Sequence, residues 1–506
     1  MIETAALQPS FAEFEAGWLR GENQLVFARL AADLDTPVSL MLKLAGNRRD
    51  SFMLESVTGG EVRGRYSVVG LKPDLIWQCR DGAARINRQA RFDGEAFSDQ
   101  SGHPLQELRA LITESRIAMP EGLPAIAAGL FGYLGYDMIR LVEDLPLTLP
   151  DPLDLPDAVL MRPSVVAVLD GVKGEVTVVA PAWFEGGLSA RAAYAQAAER
   201  VMDALRDLER EVAGMGRALG QTARVGEARS NFTKEAYLAA VERARDYIRA
   251  GDIFQVVPSQ RWAQDFPLHP FALYRSLRRT NPSPFMFYFD LGGFHIVGAS
   301  PEILVRLRDG EVTIRPIAGT RPRGRTPEED RALEADLLGD EKELAEHLML
   351  LDLGRNDVGR VARIGTVHPT ERFIIERYSH VMHIVSNVVG QIAEGEDALS
   401  ALLAGLPAGT VSGAPKVRAM QIIDELEPEK RGVYGGGIGY FSANGEMDMC
   451  IALRTAVIKD EVLYIQAGGG VVHDSNAESE WQETVNKSRA LRHAAEQAGL
   501  FARGNG

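Results

Sequence analysis

The sequence predicts an α+β fold. Three observations carry it: β-like runs separated by turn clusters up to about residue 180, a second β-rich region after Gly251, and amphipathic helices with legible ends between and beyond them. A chain of 506 residues is too long for one hydrophobic core, so two or three domains or one large elaborated unit are expected.

In chain order, SVVGL, VVAVLD and EVTVVA read as strands, with RDGAAR and LPDPLDLPD as turns. Between Ser189 and Val212 apolar residues recur at helical spacing, and GMGRALGQTARVGEARS then reads as a linker. Tyr237, Val241, Ala244 and Ile248 step by four, three and four, marking one face of a helix that Gly251 ends. The runs FQVVPSQRW, FMFYFDLGGFHIVGAS and EVTIRPIAG follow as strands. Thr326 as N-cap, Pro327 at the first helical position and Glu329 at the third predict a capping box opening one long acidic helix towards Leu351. The chain closes on the helix ESEWQETVNKSRALRHAAEQ, with no fixed-period repeat before it. The expected division is a domain over 1–185, a helix and linker over 186–230, a domain over 231–495 and a tail over 496–506.

A net charge of -15 argues against non-specific binding to nucleic acid or anionic membrane, so an anionic ligand would need local cations or a metal. With only Cys79 and Cys450, a disulfide framework is excluded and a reducing cytoplasm is expected. The N-terminus carries acids where an export signal would be apolar, and the apolar run from Gly122 to Tyr136 is too short and glycine-broken for a membrane span.

On helical spacing Glu343, Glu346 and His347 share one face, as do Glu480, Glu483 and Lys487. Such acids are either solvated helix faces or, because apolar neighbours surround them, inward carboxylates that hold Mg²⁺. Glycine runs at Gly435–Gly439 and Gly468–Gly470 are tight turns or backbone cradles for an anion; they match no nucleotide fingerprint. Arg454 lies in a strand pattern and calls for a carboxylate or phosphate, from the protein or from a ligand. His383, among apolar residues with Tyr378 and His380 near, is a core histidine or a general acid/base. The four arginines of RPIAGTRPRGR, from Arg315 to Arg325, are further candidates to receive an anion. No Ser-His-Asp order and no nucleophile elbow is present, which disfavours acyl transfer. The residues alone support a magnesium-dependent enzyme acting on a small polycarboxylate.

Ten motifs in order, GDIFQVVPSQRW, NPSPFMFY, GASPE, RPIAGTRPRG, AEHLMLLDLGRNDVGRV, YSHVMHIVS, PAGTVSGAPKVRAM, RGVYGGGIGY, ALRT and DSNAESEWQETVNK, closely resemble the chorismate-utilising enzymes. The likeness is strongest to the anthranilate synthase component I branch and is dense from Thr233 to Arg492, with a weaker match at LESVTGGEVRGRYSVVG. It implies large antiparallel β-sheets packed as a sandwich with flanking helices, a regulatory N-terminal domain and a catalytic C-terminal one.

By resemblance, Mg²⁺ binds Glu346 and Glu483 with Glu343 and Glu480 nearby, and grips the ring carboxylate of chorismate. Tyr434 and Arg454 match residues that hold the enolpyruvyl carboxylate; the backbone of Gly468, Gly469 and Gly470 and Lys487 match the ring-carboxylate side. Ala318, Gly319 and Thr320 match the substrate-lining stretch, and Thr410 a threonine that contacts substrate. Glu302 matches the general acid that expels the C4 hydroxyl, and His383 the histidine of the pyruvate-eliminating step. The relatives that make aminodeoxychorismate carry lysine at position 318, and those that add water carry lysine at position 255; Ala318 and Gln255 here point to ammonia as nucleophile.

The resemblance thus implies conversion of chorismate and ammonia to anthranilate and pyruvate, the first step of tryptophan biosynthesis. It implies ammonia from a separate glutamine amidotransferase subunit in a hetero-oligomer, because no segment of the chain fits a glutaminase. Feedback inhibition by tryptophan is implied at Leu54, Glu55 and Ser56 with Pro284, Phe285 and Met286, although Phe285 replaces a commoner tyrosine and Pro258 a commoner leucine. An aminodeoxychorismate synthase lacking its lysine and a non-catalytic tryptophan-binding regulator are the alternatives.

Overall fold

The computed structural model describes residues 6–46, 48–55, 64–146, 149–212, 225–378 and 381–502. Its strands form one hydrogen-bonded antiparallel network of 21, beside a two-stranded ribbon. Helices cover the outer faces, giving the α+β architecture of large antiparallel sheets with flanking helices that was expected.

Two long strands organise the network, Tyr66–Arg80 and Ala158–Asp170, paired antiparallel along most of their length. Pro73 faces Pro163 midway, the register shifts between Pro73 and Leu75, and Lys72 takes a φ of 50°. Proline donates no hydrogen bond to a ladder, so the ribbon bends where the two meet. On one side of the bend the pair continues through Ser51–Glu55 to Phe285–Asp290, His295–Ser300, Thr455–Lys459, Val462–Gly468 and Ser259–Asp265. On the other it continues through Gly129–Leu134 to Gly437–Ser442, Met447–Ile451 and Ile303–Arg308.

Side-chain alternation sorts residues between layers. Phe52, Phe131, Phe287, Phe289 and Ile438 point into a central core enclosed by the two arms. Phe52 stacks on Phe131 at 4.5 Å and on Phe289 at 5.4 Å. Their neighbours Met286 and Tyr288 point outward against helix residues Phe271, Leu277 and Leu491. On the second arm Trp77, Leu160 and Leu304 meet Leu351 and Leu402 of other helices. The sheets are thus a sandwich whose inner core is aromatic-rich and whose outer faces are closed by helices.

Several local expectations hold and some do not. Gly251 ends the Lys234–Ala250 helix in the left-handed conformation, at φ 84°. Thr326 Oγ1 accepts from the Glu329 N–H, with Pro327 at the first position, but the Glu329 carboxylate accepts from the Arg325 N–H, so the expected capping box is only half formed. The single acidic helix, however, is two, Pro327–Gly339 and Glu341–Gly359. Asp340 ends one in an extended conformation and caps the other through the N–H groups of Lys342 and Glu343. The helix after Ser189 runs Ala190–Leu208, and most of the expected linker lies outside the described residues, as does His380. Pro258 falls in the break between Gln255–Val256 and Ser259–Asp265, where a missing N–H costs no ladder bond. The Gly122–Tyr136 run contains the buried strand Gly129–Leu134, and among the described residues no helix is long and apolar enough to cross a membrane.

Phe287 is 1% exposed at the centre of the inner core. Phe287→Ala should lower unfolding free energy by about 3–5 kcal/mol, read from the denaturation midpoint.

Candidate active site

His383 stands in the strand Val381–Gln391, opposite Thr320 of Ile317–Pro322. The register shifts between Ala318 and Thr320 because Gly319 adopts a φ of 72°. This bulge aims the Gly319 carbonyl at the imidazole, with Nδ1 3.0 Å from that oxygen and 3.1 Å from Thr320 Oγ1. A carbonyl only accepts, so Nδ1 carries the proton and Nε2 is left as the basic nitrogen. Burial lowers the His383 pKa, the Gly319 bond opposes it and Arg454 adds to the lowering. The ring is therefore neutral at neutral pH and edges onto Tyr378 at 5.5 Å.

Glu302 follows the strand His295–Ser300, where its backbone N–H donates to Ser300 Oγ at 3.3 Å. Its Oε2 accepts from Thr410 Oγ1 at 3.2 Å. Desolvation pushes its pKa up to about 7, against the opposing pull of Thr410, Arg454 and Lys487. A carboxyl near that value is half-protonated at neutral pH and can donate a proton.

Arg454 is not in a strand; it occupies the bend between Met447–Ile451 and Thr455–Lys459 with φ 48°. Thr455, not Arg454, begins the next strand because its side chain packs into the sheet. Among the described residues the Arg454 guanidinium makes no side-chain hydrogen bond or ion pair. Burial lowers its pKa, with Glu302 and Tyr378 opposing. A desolvated guanidinium without a protein acid is suited to an anionic ligand.

Tyr434 is positioned from below. Arg431 lies 5.5 Å from its ring and 4.7 Å from that of Tyr136. The Arg431 guanidinium binds Glu427 and donates at 2.6 Å to the carbonyls of both Val411 and Val257. Glu427 in turn accepts from the N–H and hydroxyl of Ser259. At Gly468 a Cβ would lie 3.0 Å from Tyr434 Oη, so glycine lets the phenol meet the backbone.

The helices Glu341–Gly359 and Ala477–Gln497 bring the carboxylates together. Burial raises the Glu346 pKa, and repulsion from Glu343 and Glu483 adds to it. Burial also raises that of Glu480, with Glu483 adding and Ser475 opposing. Lys487 reaches Glu483 at 2.7 Å and the Gly468 carbonyl at 3.0 Å. The Lys487 side chain is half exposed, its partial desolvation works against the charge, and the Glu483 carboxylate beside it raises the pKa. A Cβ on Gly469 would sit 3.4 Å from Glu480 Oε2, and one on Gly470 2.8 Å from Gln255 Nε2. Gln255 Nε2 donates to Glu346 Oε1 at 3.2 Å, and its Oε1 is buried without a partner. Among the described residues no three acidic, histidine or cysteine side chains converge closely enough to cage a metal. Desolvated carboxylates that repel one another across two helices nevertheless fit a divalent cation in character.

His347 does not share the face of Glu343 and Glu346. It is fully buried against Phe373, with Nε2 2.7 Å from Ser386 Oγ, and burial pulls its pKa down to about 4. One residue along the helix turns it about 100° from Glu346, towards the sheet. The arginines of RPIAGTRPRGR are largely committed to protein acids. Arg315 pairs with Glu371 and Glu376, Arg321 with Asp336, Asp340 and Glu343, and Arg323 with Asp330.

A second group lies on the strand pair Ser51–Glu55 and Phe285–Asp290, where Glu55 faces Met286. The buried Glu55 carboxylate accepts from Tyr274 Oη at 2.6 Å and is clasped by Arg278 at 2.6–2.9 Å. Leu54 precedes it, and Pro284 and Phe285 lead into the facing strand; Ser56 lies outside the described residues. Tyr274 and Arg278, one helical turn apart on Pro270–Thr280, carry no motif signal, and neither does the Glu427–Arg431 pair beneath Tyr434.

The arrangement gathers a carboxyl whose pKa lies near neutrality, a neutral imidazole and a guanidinium that has no acid partner among the described residues. The chorismate binding enzyme family matches residues 72–493, and the chain belongs to that family. Over almost its whole length it is similar to anthranilate synthase component 1 of Cereibacter sphaeroides, with 81% identity covering 98% of this chain and 100% of the relative. The corresponding protein of Pseudomonas putida is 50% identical over 94% of this chain and 96% of its own. The crystal structure of anthranilate synthase component I from Streptococcus pneumoniae TIGR4 superposes with a TM-score of 0.77 at 36% identity, covering 91% of this chain and 98% of that one.

Glu427→Gln would leave Arg431 charged and buried with half its partners. We expect a stability loss of about 3–5 kcal/mol by chemical denaturation.

Proposed function

We propose that this chain converts chorismate and ammonia to anthranilate and pyruvate. The observation that carries the reading is the presence of Glu302, able to hold a proton near neutral pH, and of neutral His383, both within the field of an Arg454 that is unpaired among the described residues. Arg454 and Tyr434 anchor the enolpyruvyl carboxylate, while the Gly468–Gly470 backbone and Lys487 face the ring carboxylate. Ala318, Gly319 and Thr320 line the ring beside His383.

Ammonia attacks C2 of the ring, and Glu302, oriented by Thr410, protonates the C4 hydroxyl so that it leaves as water. His383 Nε2 then removes the C2 proton as the C3–O bond breaks; the enolpyruvate released takes up a proton and becomes pyruvate, and the ring is aromatic. Ala318 offers no amine that would compete with ammonia, and the Gln255 amide cannot activate water as a base, which favours amination. Glu346 and Glu483, with Glu343 and Glu480 beside them, are the residues that would hold Mg²⁺. Bound there, the ion supplies polarisation of the ring carboxylate and compensation of developing charge.

Ammonia comes from a glutaminase partner, the component that the numbered names of the relatives imply, and the two form a hetero-oligomer. The group around Glu55 binds tryptophan as a feedback inhibitor, so the segment 1–185 is regulatory and 231–495 catalytic. The scarcity of cysteine agrees with a cytoplasmic enzyme.

Purified chain given chorismate, ammonium and Mg²⁺ should develop anthranilate fluorescence; aminodeoxychorismate or isochorismate as product would overturn the assignment. Glu302→Gln should lower kcat by about 10²–10⁴-fold. Because Glu302 acts protonated, kcat at constant free ammonia should fall above about pH 7, by about tenfold per unit. His383 must be neutral, so the rising limb should lie below the ordinary histidine range.

A further inference from the structure

Behind Glu302 lies a cavity of about 30 Å³, partly open, whose lining includes Glu302, Thr410, Arg315, Asp357, Leu350 and Gly354. His383, Arg454, Tyr434 and Lys487 do not line it. One water needs about 10–15 Å³ by a comparable measure and two to four polar partners, and this space exceeds the first and supplies the second. Asp357 is 7% exposed, and its Oδ1 accepts from Lys416 Nζ at 2.8 Å. Lys416 also donates to the Ala404 carbonyl at 3.4 Å, so the ammonium is held in place and fixes the carboxyl.

We propose that this cavity holds water through which Asp357 returns a proton to Glu302 between turnovers, with Lys416 as the positioning residue for Asp357. The proposal rests on Glu302 being the general acid. In each cycle Glu302 loses one proton to the departing hydroxyl, and the ammonia that has bonded to C2 loses one to solvent. The two balance, but Glu302 remains a carboxylate until a proton reaches it. Asp357 gives its proton to cavity water, that water gives one to Glu302, and Asp357 recovers a proton from solvent at the open side. Burial raises the Asp357 pKa against the opposing charge of Lys416, which suits a carboxyl that must be protonated part of the time.

Gly354→Ala tests this without touching a polar group. A Cβ there would lie 3.3 Å from Pro316 Cγ and 3.5 Å from Ile314 Cγ2, both in the cavity wall, and alanine is the better helix former. Rapid-quench measurement on the full chain at about pH 6 with chorismate, ammonium and Mg²⁺ should show a first turnover like that of the unaltered protein, because below its pKa of about 7 Glu302 starts mostly protonated. Later turnovers should slow by about tenfold, the scale of a lost proton-transfer partner. Asp357→Asn should give the same split and Asp357→Glu should restore much of the steady rate. An unchanged steady rate in folded Gly354→Ala, or first and later turnovers slowing together, would overturn the relay. Glu302→Gln isolates the underlying reading: a full first turnover there removes Glu302 as the acid and the relay with it.

Discussion

The structure depends on one strand pair, Tyr66–Arg80 with Ala158–Asp170, and on the bend that its two facing prolines impose. Thirteen consecutive residues of Ala158–Asp170 are buried, which a single sheet with one wet face would not allow. Because the pair belongs to both arms, each arm orients the other, and the aromatic core between them is filled from both. The candidate site residues are attached to this frame where it is irregular: Glu302 two residues past one strand, Arg454 in the bend between two others, and His383 opposite a bulge in a third. Bends and bulges release side chains from the pleat, so the frame supplies rigidity and its irregularities supply aim.

Electrostatically the site inverts the character of the chain. A protein of net charge -15 sets aside Arg454 and Lys487 where Glu302 and the helix carboxylates can feel them. Most other arginines in the neighbourhood are neutralised locally, as Arg321 is by three acids. What remains uncompensated among the described residues is a guanidinium and a set of desolvated carboxylates. Burial drives two pKa values of the site in opposite senses, raising Glu302 and lowering His383, which favours the uncharged form of each.

Much of this was legible in the sequence where the signal is local. The end at Gly251, the cap at Thr326 and the helical placement of Glu343, Glu346, Glu480 and Glu483 follow from short-range chemistry. Asp340 with Glu343 three residues on is itself a cap signature, but continuous apolar spacing concealed it. Arg454 and His347 were misplaced because alternation and helical spacing give a direction only to within an arc, and the sheet behind decides the rest. Glu427 and Arg431, four apart, look like any solvated pair; nothing local says that Ser259, Val257 and Val411 close over them. Long-range burial of charge is the part of a site that one-dimensional pattern does not carry.

The pairing of Ser51–Glu55 with Phe285–Asp290, and of Gly129–Leu134 with Gly437–Ser442, bears on how such a chain can be inherited. Strands from the first third are laced with strands from the middle and last thirds, so a gene cut between them would yield two pieces with bare, aggregation-prone strand edges. Recombination therefore has little purchase inside this protein. New partners or control segments are best added at its termini or carried on a separate polypeptide, and variation within the frame is confined to substitutions.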